Sequence, residues 1–158
     1  MISRDMEYRL VELLSEKKMT ISTAESCTGG LIAGAVINAP GASAVYNEGF
    51  ITYSNAAKEK YLGVKKETLE KYGAVSKETV VEMAQGCASA AKADVALVSS
   101  GIAGPEGGTK EKPVGLVYIG CYVRGNIRTV KNVFSGTRQE VRKQAVEAAI
   151  KLAVDMIE

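Results

Sequence analysis

The chain has 158 residues, 46% of them hydrophobic and 24% charged, a net charge of +2 and no histidine. Such a balance belongs to a globular chain, and the length suits one domain over residues 1–158 with a sizeable core. The small charge, with no Lys/Arg cluster, argues against a nucleic-acid partner; the lack of histidine excludes a Ser-His-Asp triad, a Cys-His pair and a histidine-bound metal.

An amphipathic helix is expected from about Arg4 to Lys18, with Met6, Leu10, Leu13 and Leu14 on one face. Thr20 to Ala24 reads as a short strand that ends in Glu25-Ser26-Cys27-Thr28-Gly29-Gly30. Leu31 to Ile37 continues as a buried helix and stops near Asn38-Ala39-Pro40-Gly41. Val45 to Tyr53 is a second strand. Ser54-Asn55 opens a short helix over Ala56 to Leu62, and another covers Lys66 to Lys71. Ser76 is an N-cap for a longer helix to about Ala93.

Asp94 to Ser100 is a β-rich apolar run, followed by a glycine-rich loop from Gly101 to Thr109. Strands over about Val114 to Val123 and Arg128 to Phe134 are joined by a hairpin at Arg124-Gly125-Asn126. Thr137 and Glu140 have the spacing of a capping box that opens the last helix, with Val141, Ala145, Ala148, Leu152 and Met156 on its apolar face. Helices flanking four or five strands, parallel early and hairpinned late, predict a three-layer α/β/α sandwich around a mixed, mainly parallel sheet.

No apolar run is long enough to span a bilayer, and the first residues lack a signal-peptide pattern, so no membrane association is expected. Cys27, Cys87 and Cys121 are odd in number and widely spaced. They imply no disulfide framework, and a reducing cytoplasm is the expected location. With no CxxC pair, no metal site is expected either. Acid-base chemistry near neutral pH then falls to Lys, Tyr, Asp, Glu or Cys with shifted pKa values.

Three polar clusters sit at strand ends. Ser26 lies where the first strand turns into its helix, a place that suits a phosphate or an oxyanion, and Gly29 and Gly30 would let a ligand approach the backbone. Helix capping by Ser26 or Thr28 explains the same residues. Tyr53 and Lys58 flank the second strand-to-helix junction and could converge on one pocket; a packed tyrosine and a solvated lysine are the alternative. Ser99-Ser100-Gly101 enters the glycine-rich loop, which is otherwise a long surface loop.

At these clusters the sequence resembles the C-terminal domain of the competence/damage-inducible CinA proteins. The matching stretches include Thr23-Ala24-Glu25-Ser26-Cys27-Thr28-Gly29-Gly30, Gly49-Phe50-Ile51-Thr52-Tyr53-Ser54-Asn55 and Ser100-Gly101-Ile102-Ala103-Gly104-Pro105. Gly73-Ala74-Val75-Ser76, Lys112-Pro113-Val114-Gly115 and Phe134-Ser135-Gly136 follow the same order. Stand-alone members of that family are nicotinamide-nucleotide amidohydrolases. The resemblance implies conversion of nicotinamide mononucleotide to the acid plus ammonia, with Ser26 as nucleophile, Lys58 as general base and Tyr53 as a helper in proton transfer or orientation. It implies substrate contacts from Cys27, Thr28, Gly29, Gly30, Ser100, Gly101 and Arg142, and neither metal nor organic cofactor. A non-catalytic nucleotide-binding module linked to competence or DNA damage is the alternative. A homodimer is expected from the size of such enzymes.

For this chemistry Lys58 must be enclosed. Free lysine has a pKa of about 10.4, and a general base near neutrality needs about 7–8, a shift that burial can supply. Backbone N–H groups around Cys27 to Gly30, or at Gly101, are the candidate oxyanion donors. The substrate's phosphate is expected at a helix N-terminus or at Arg142. Cys27 is the rival nucleophile.

Overall fold

The computed structural model describes residues 4–158. Helix α1 covers Arg4–Glu16, strand β1 Ile21–Glu25, α2 Leu31–Ile37 and β2 Tyr46–Ile51. Helices α3 (Asn55–Leu62), α4 (Lys66–Tyr72) and α5 (Lys77–Ala91) follow, then strands β3 (Val95–Gly101), β4 (Leu116–Val123) and β5 (Asn126–Val133), and helix α6 (Arg138–Ile157). A short 3-10 turn over Ala42–Ala44, which the sequence reading lacks, leads into β2.

The sheet order is β2-β1-β3-β4-β5. Strands β2, β1 and β3 are mutually parallel, β4 is antiparallel to β3, and β5 is antiparallel to β4, so only β4 runs against the rest. Period-two alternation along β3 shows how the layers form. Val95 and Leu97 pack into one core with α1, α2 and α6, whereas Ala96 and Val98 pack into the other with α3, α4 and α5. The result is the expected three-layer sandwich. Among the described residues no helix is long and apolar enough to cross a membrane.

Element ends differ from the sequence reading where backbone geometry overrides pattern. The hairpin between β4 and β5 turns on two residues, Arg124 and Gly125, both with positive φ. That is the turn geometry that follows the twist of paired strands, so Asn126 joins β5 instead of the turn. Gly115, with φ +96°, holds β4 back to Leu116: a Cβ there would lie 2.0 Å from the Phe134 carbonyl oxygen. The capping box of α6 is present as expected, with the Thr137 and Glu140 side chains each bonded to the other's backbone N–H.

Chain order places the site. From β1 the chain crosses through α2 to β2 on one side, then through α3, α4 and α5 to β3 on the other. The carboxyl end of β1 is therefore a topological switch point, the position where open α/β sheets bind ligands.

Candidate active site

Three strand ends meet at that point. Glu25, the last residue of β1, is in register with Ile51 of β2 on one side and Ser99 of β3 on the other. Two bonds continue the lacing past the sheet: Ser26 N–H donates to the Ser99 carbonyl at 3.1 Å, and Thr52 N–H to the Glu25 carbonyl at 2.9 Å. Ser26, Thr52-Tyr53 and Ser100-Gly101 thus become neighbours although up to 75 positions separate them in sequence.

Lys58 enters this junction from α3. The Ser54 hydroxyl caps that helix by accepting from Ala57 N–H, and one residue later the Lys58 side chain turns inward. It is only 1% exposed, among the largest fully buried side chains of the molecule. Its Nζ lies 3.1 Å from Ser26 Oγ, 2.9 Å from the Thr52 carbonyl oxygen and 3.4 Å from that of Tyr53. Removal from water pushes its pKa down from 10.5 to about 8. As an ammonium it can donate to all three oxygens. As a neutral amine it keeps two N–H groups, which the two carbonyls accept, and its lone pair is left for the Ser26 hydroxyl to donate into. The backbone therefore orients the amine as a proton acceptor for Ser26.

Cys27 is buried, and burial pushes its thiol up to about 11. A cysteine nucleophile acts as the thiolate, so this environment works against the rival assignment.

The turn after Ser26 is held by a residue to which the sequence reading gave no role. The Glu25 carboxylate, wholly buried, accepts from Thr28 Oγ1 at 2.6 Å, Ile32 N–H at 2.8 Å and Ala33 N–H at 3.0 Å. The first-turn amides of α2, expected to receive a phosphate, are thus occupied by the protein's own carboxylate. Thr28 is also bonded to Ser99 Oγ at 2.7 Å. Arg142 donates to the carbonyls of Cys27 (2.9 Å) and Thr28 (3.1 Å). Gly29 and Gly30 adopt φ of +55° and +104°, which only glycine takes up easily. Thr28, Gly29, Gly30 and Arg142 therefore brace the turn, and none of them lines the cavity in front of Ser26.

That cavity has a volume of about 290 Å³ and brings together Ser26, Cys27, Tyr53, Lys58, Ser100 and Gly101 from the expected set. Tyr53 contributes differently from expectation. Its side chain is 63% exposed and its hydroxyl accepts from Arg138 Nη2 at 3.2 Å, while its carbonyl is the group that meets Lys58. The Ser100 hydroxyl donates to the Ala74 carbonyl at 2.8 Å, tying β3 to the loop before α5. Gly101 leaves room for β4, since a Cβ there would lie 2.6 Å from Val117 Cγ2.

Two charged residues of the cavity were missed, Glu106 and Arg138. Arg138 is the first residue of α6, one turn before Arg142, and its Nη1 donates to the Gly104 carbonyl at 2.8 Å. The i,i+4 spacing of the two arginines was the available signal: Arg142 bonds the nucleophile turn, and Arg138, one turn earlier on the same helix, lines the cavity.

Residues 3–157 match the family model described as the CinA C-terminal domain. A Clostridium acetobutylicum protein that carries the competence-damage inducible name is 57% identical over 145 residues, covering 92% of this chain and 35% of that protein. The chain thus spans about a third of the length of the curated relatives it matches. Among solved structures, a competence/damage-inducible protein of Agrobacterium tumefaciens superposes with a TM-score of 0.96 at 39% identity, covering 100% of this chain and 99% of that one. A CinA-superfamily protein of Klebsiella pneumoniae gives 0.93 at 37% identity, with 98% and 96% covered.

Proposed function

The chain belongs to the CinA C-terminal domain family, and on that premise we propose that it is a nicotinamide-nucleotide amidohydrolase working through Ser26 and Lys58. The observation that carries the reading is the enclosed Lys58 amine 3.1 Å from Ser26 Oγ. With a pKa of about 8, roughly a tenth of it is neutral at pH 7, against about one in 2,500 for a free lysine.

In the proposed reaction Ser26 Oγ passes its proton to Lys58 Nζ and attacks the carboxamide carbon. The carbonyl π pair moves to oxygen. The backbone N–H of Cys27, the residue after the nucleophile and part of the cavity lining, is a candidate to receive that oxyanion. Collapse breaks the C–N bond, and ammonia leaves with the proton returned by Lys58. Water then attacks the Ser26 ester, giving its proton to Lys58, and the carboxylic acid departs as Ser26 regains a proton. Arg138 is the cavity's candidate for the phosphate, because it lines the cavity, whereas Glu25 fills the helix start and Arg142 lies outside the cavity, bonded to the turn behind it. No step calls on a metal or organic cofactor.

The test is ammonia release from nicotinamide mononucleotide by the purified chain. Ser26→Ala and Lys58→Met are each expected to lower turnover by about 10³-fold or more. Nucleotide binding without ammonia release would favour a non-catalytic regulatory module instead.

A further inference from the structure

The charged groups that line the cavity are not balanced locally. Apart from the enclosed Lys58, they are Arg138, at the start of α6, and Glu106, in the loop after β3. Among the described residues neither side chain makes an ion pair: the recorded pairs join Arg9 to Glu12 and Glu158, Arg124 to Asp94, and Lys151 to Asp155. The loop that carries Glu106 is nevertheless fixed close by, because Arg138 holds the Gly104 carbonyl two residues away. A cavity of about 290 Å³ thus presents one cation, which donates to the neutral Gly104 carbonyl and Tyr53 hydroxyl, and one anion, neither paired with an opposite charge among the described residues. Two unpaired opposite charges on one small cavity fit a zwitterion better than an anion alone.

We propose that Glu106 is a specificity-determining residue that favours amides carried on a cationic ring over the acid formed from them. The proposal rests on the amidase reading of the same cavity. The ring of nicotinamide mononucleotide is a pyridinium and its far end a phosphate, so Glu106 and Arg138 complement its two ends. Hydrolysis replaces a neutral carboxamide with a carboxylate on that ring. The attraction of Glu106 for the ring is then offset by repulsion of the new charge, which weakens product relative to substrate. Glu106 is exposed, so the effect is modest and weakens with added salt.

The experiment compares the wild type with Glu106→Gln, which keeps the side-chain shape and removes the charge. Expected is a rise of roughly three- to fivefold in KM for nicotinamide mononucleotide at low salt. Inhibition constants for the reduced mononucleotide, whose ring is uncharged, and for the acid product should stay within about twofold. Equal shifts for all three ligands, or none, would overturn the proposal. If the wild type releases no ammonia, the amidase reading fails on its own. Calorimetric binding of the oxidised and reduced mononucleotides to both proteins then still decides whether Glu106 selects the cationic ring.

Discussion

Lys58 carries the heaviest demand of any single residue, since its amine must lose a proton before Ser26 can attack. Its pKa of about 8 comes from desolvation, so the neutral, active form accumulates as pH rises. The expected profile of log kcat/KM climbs with slope one below about pH 8 and levels above it. A cysteine nucleophile at Cys27 would shift that midpoint towards about 11. Stopped-flow or ammonia-coupled rates from pH 6 to 10 distinguish the two, and a flat profile through pH 8 would remove Lys58 as the base. At this scale the sequence was only partly legible. The no-histidine composition and the Ser26, Tyr53 and Lys58 positions pointed to the junction. Burial of Lys58 depends on carbonyls of Thr52 and Tyr53 folding back over it, which no spacing rule encodes. The family resemblance implied substrate contacts from Arg142 and Thr28, but a matched position does not say which way a side chain faces. Here Arg142 bonds the Cys27 and Thr28 carbonyls, while Thr28 bonds Glu25 and Ser99.

Helix α3 delivers Lys58, and what seats α3 is a glycine on its neighbour. Gly86 of α5 faces the Leu62 carbonyl at the end of α3, where a Cβ would lie only 1.7 Å from the oxygen. Alanine normally favours a helix interior over glycine by about 1 kcal/mol, but here the clash must be relieved by moving α3 outward. Gly86→Ala is therefore expected to destabilise the fold by about 1–3 kcal/mol, read as a lower Tm. Turnover should fall by about 10²-fold, because a displacement near 1 Å takes Lys58 Nζ out of hydrogen-bonding range of Ser26. Unchanged Tm and turnover would mean that α3 is not held by this contact. Helices and strands themselves were legible from periodicity and caps, as Ser54, Ser76 and Thr137 all cap the helices they precede. Glycines that permit close packing were not, because Gly86 inside a helical run looks like a weak helix residue until its neighbour is seen.

For the whole molecule, the switch-point topology puts the dyad between two cores, and those cores also bury thiols with opposite pH behaviour. Lys58 folds with its pKa lowered from 10.5 to about 8, so the unfolded chain binds the extra proton between those values and stability rises with pH across that window. Cys27, Cys87 and Cys121 do the reverse. Burial lifts them from 9.0 to about 11, 11 and 12, so above pH 9 the unfolded chain sheds protons that the folded chain keeps, and stability falls. One lysine acts alone from about pH 8 to 9; beyond that, three thiols outweigh it. The contribution of these four groups should thus raise Tm from pH 8 to about 9 and lower it from 9 to 10.5. Lys58→Met isolates the lysine, since methionine fills the space without a buried charge. Wild type minus variant Tm should increase steadily between pH 8 and 10.5, while both proteins share the alkaline decline set by the thiols. A difference that stays constant across that range would mean that Lys58 titrates in the folded chain as it does in the unfolded one. The enclosed amine would then have no lowered pKa with which to serve Ser26.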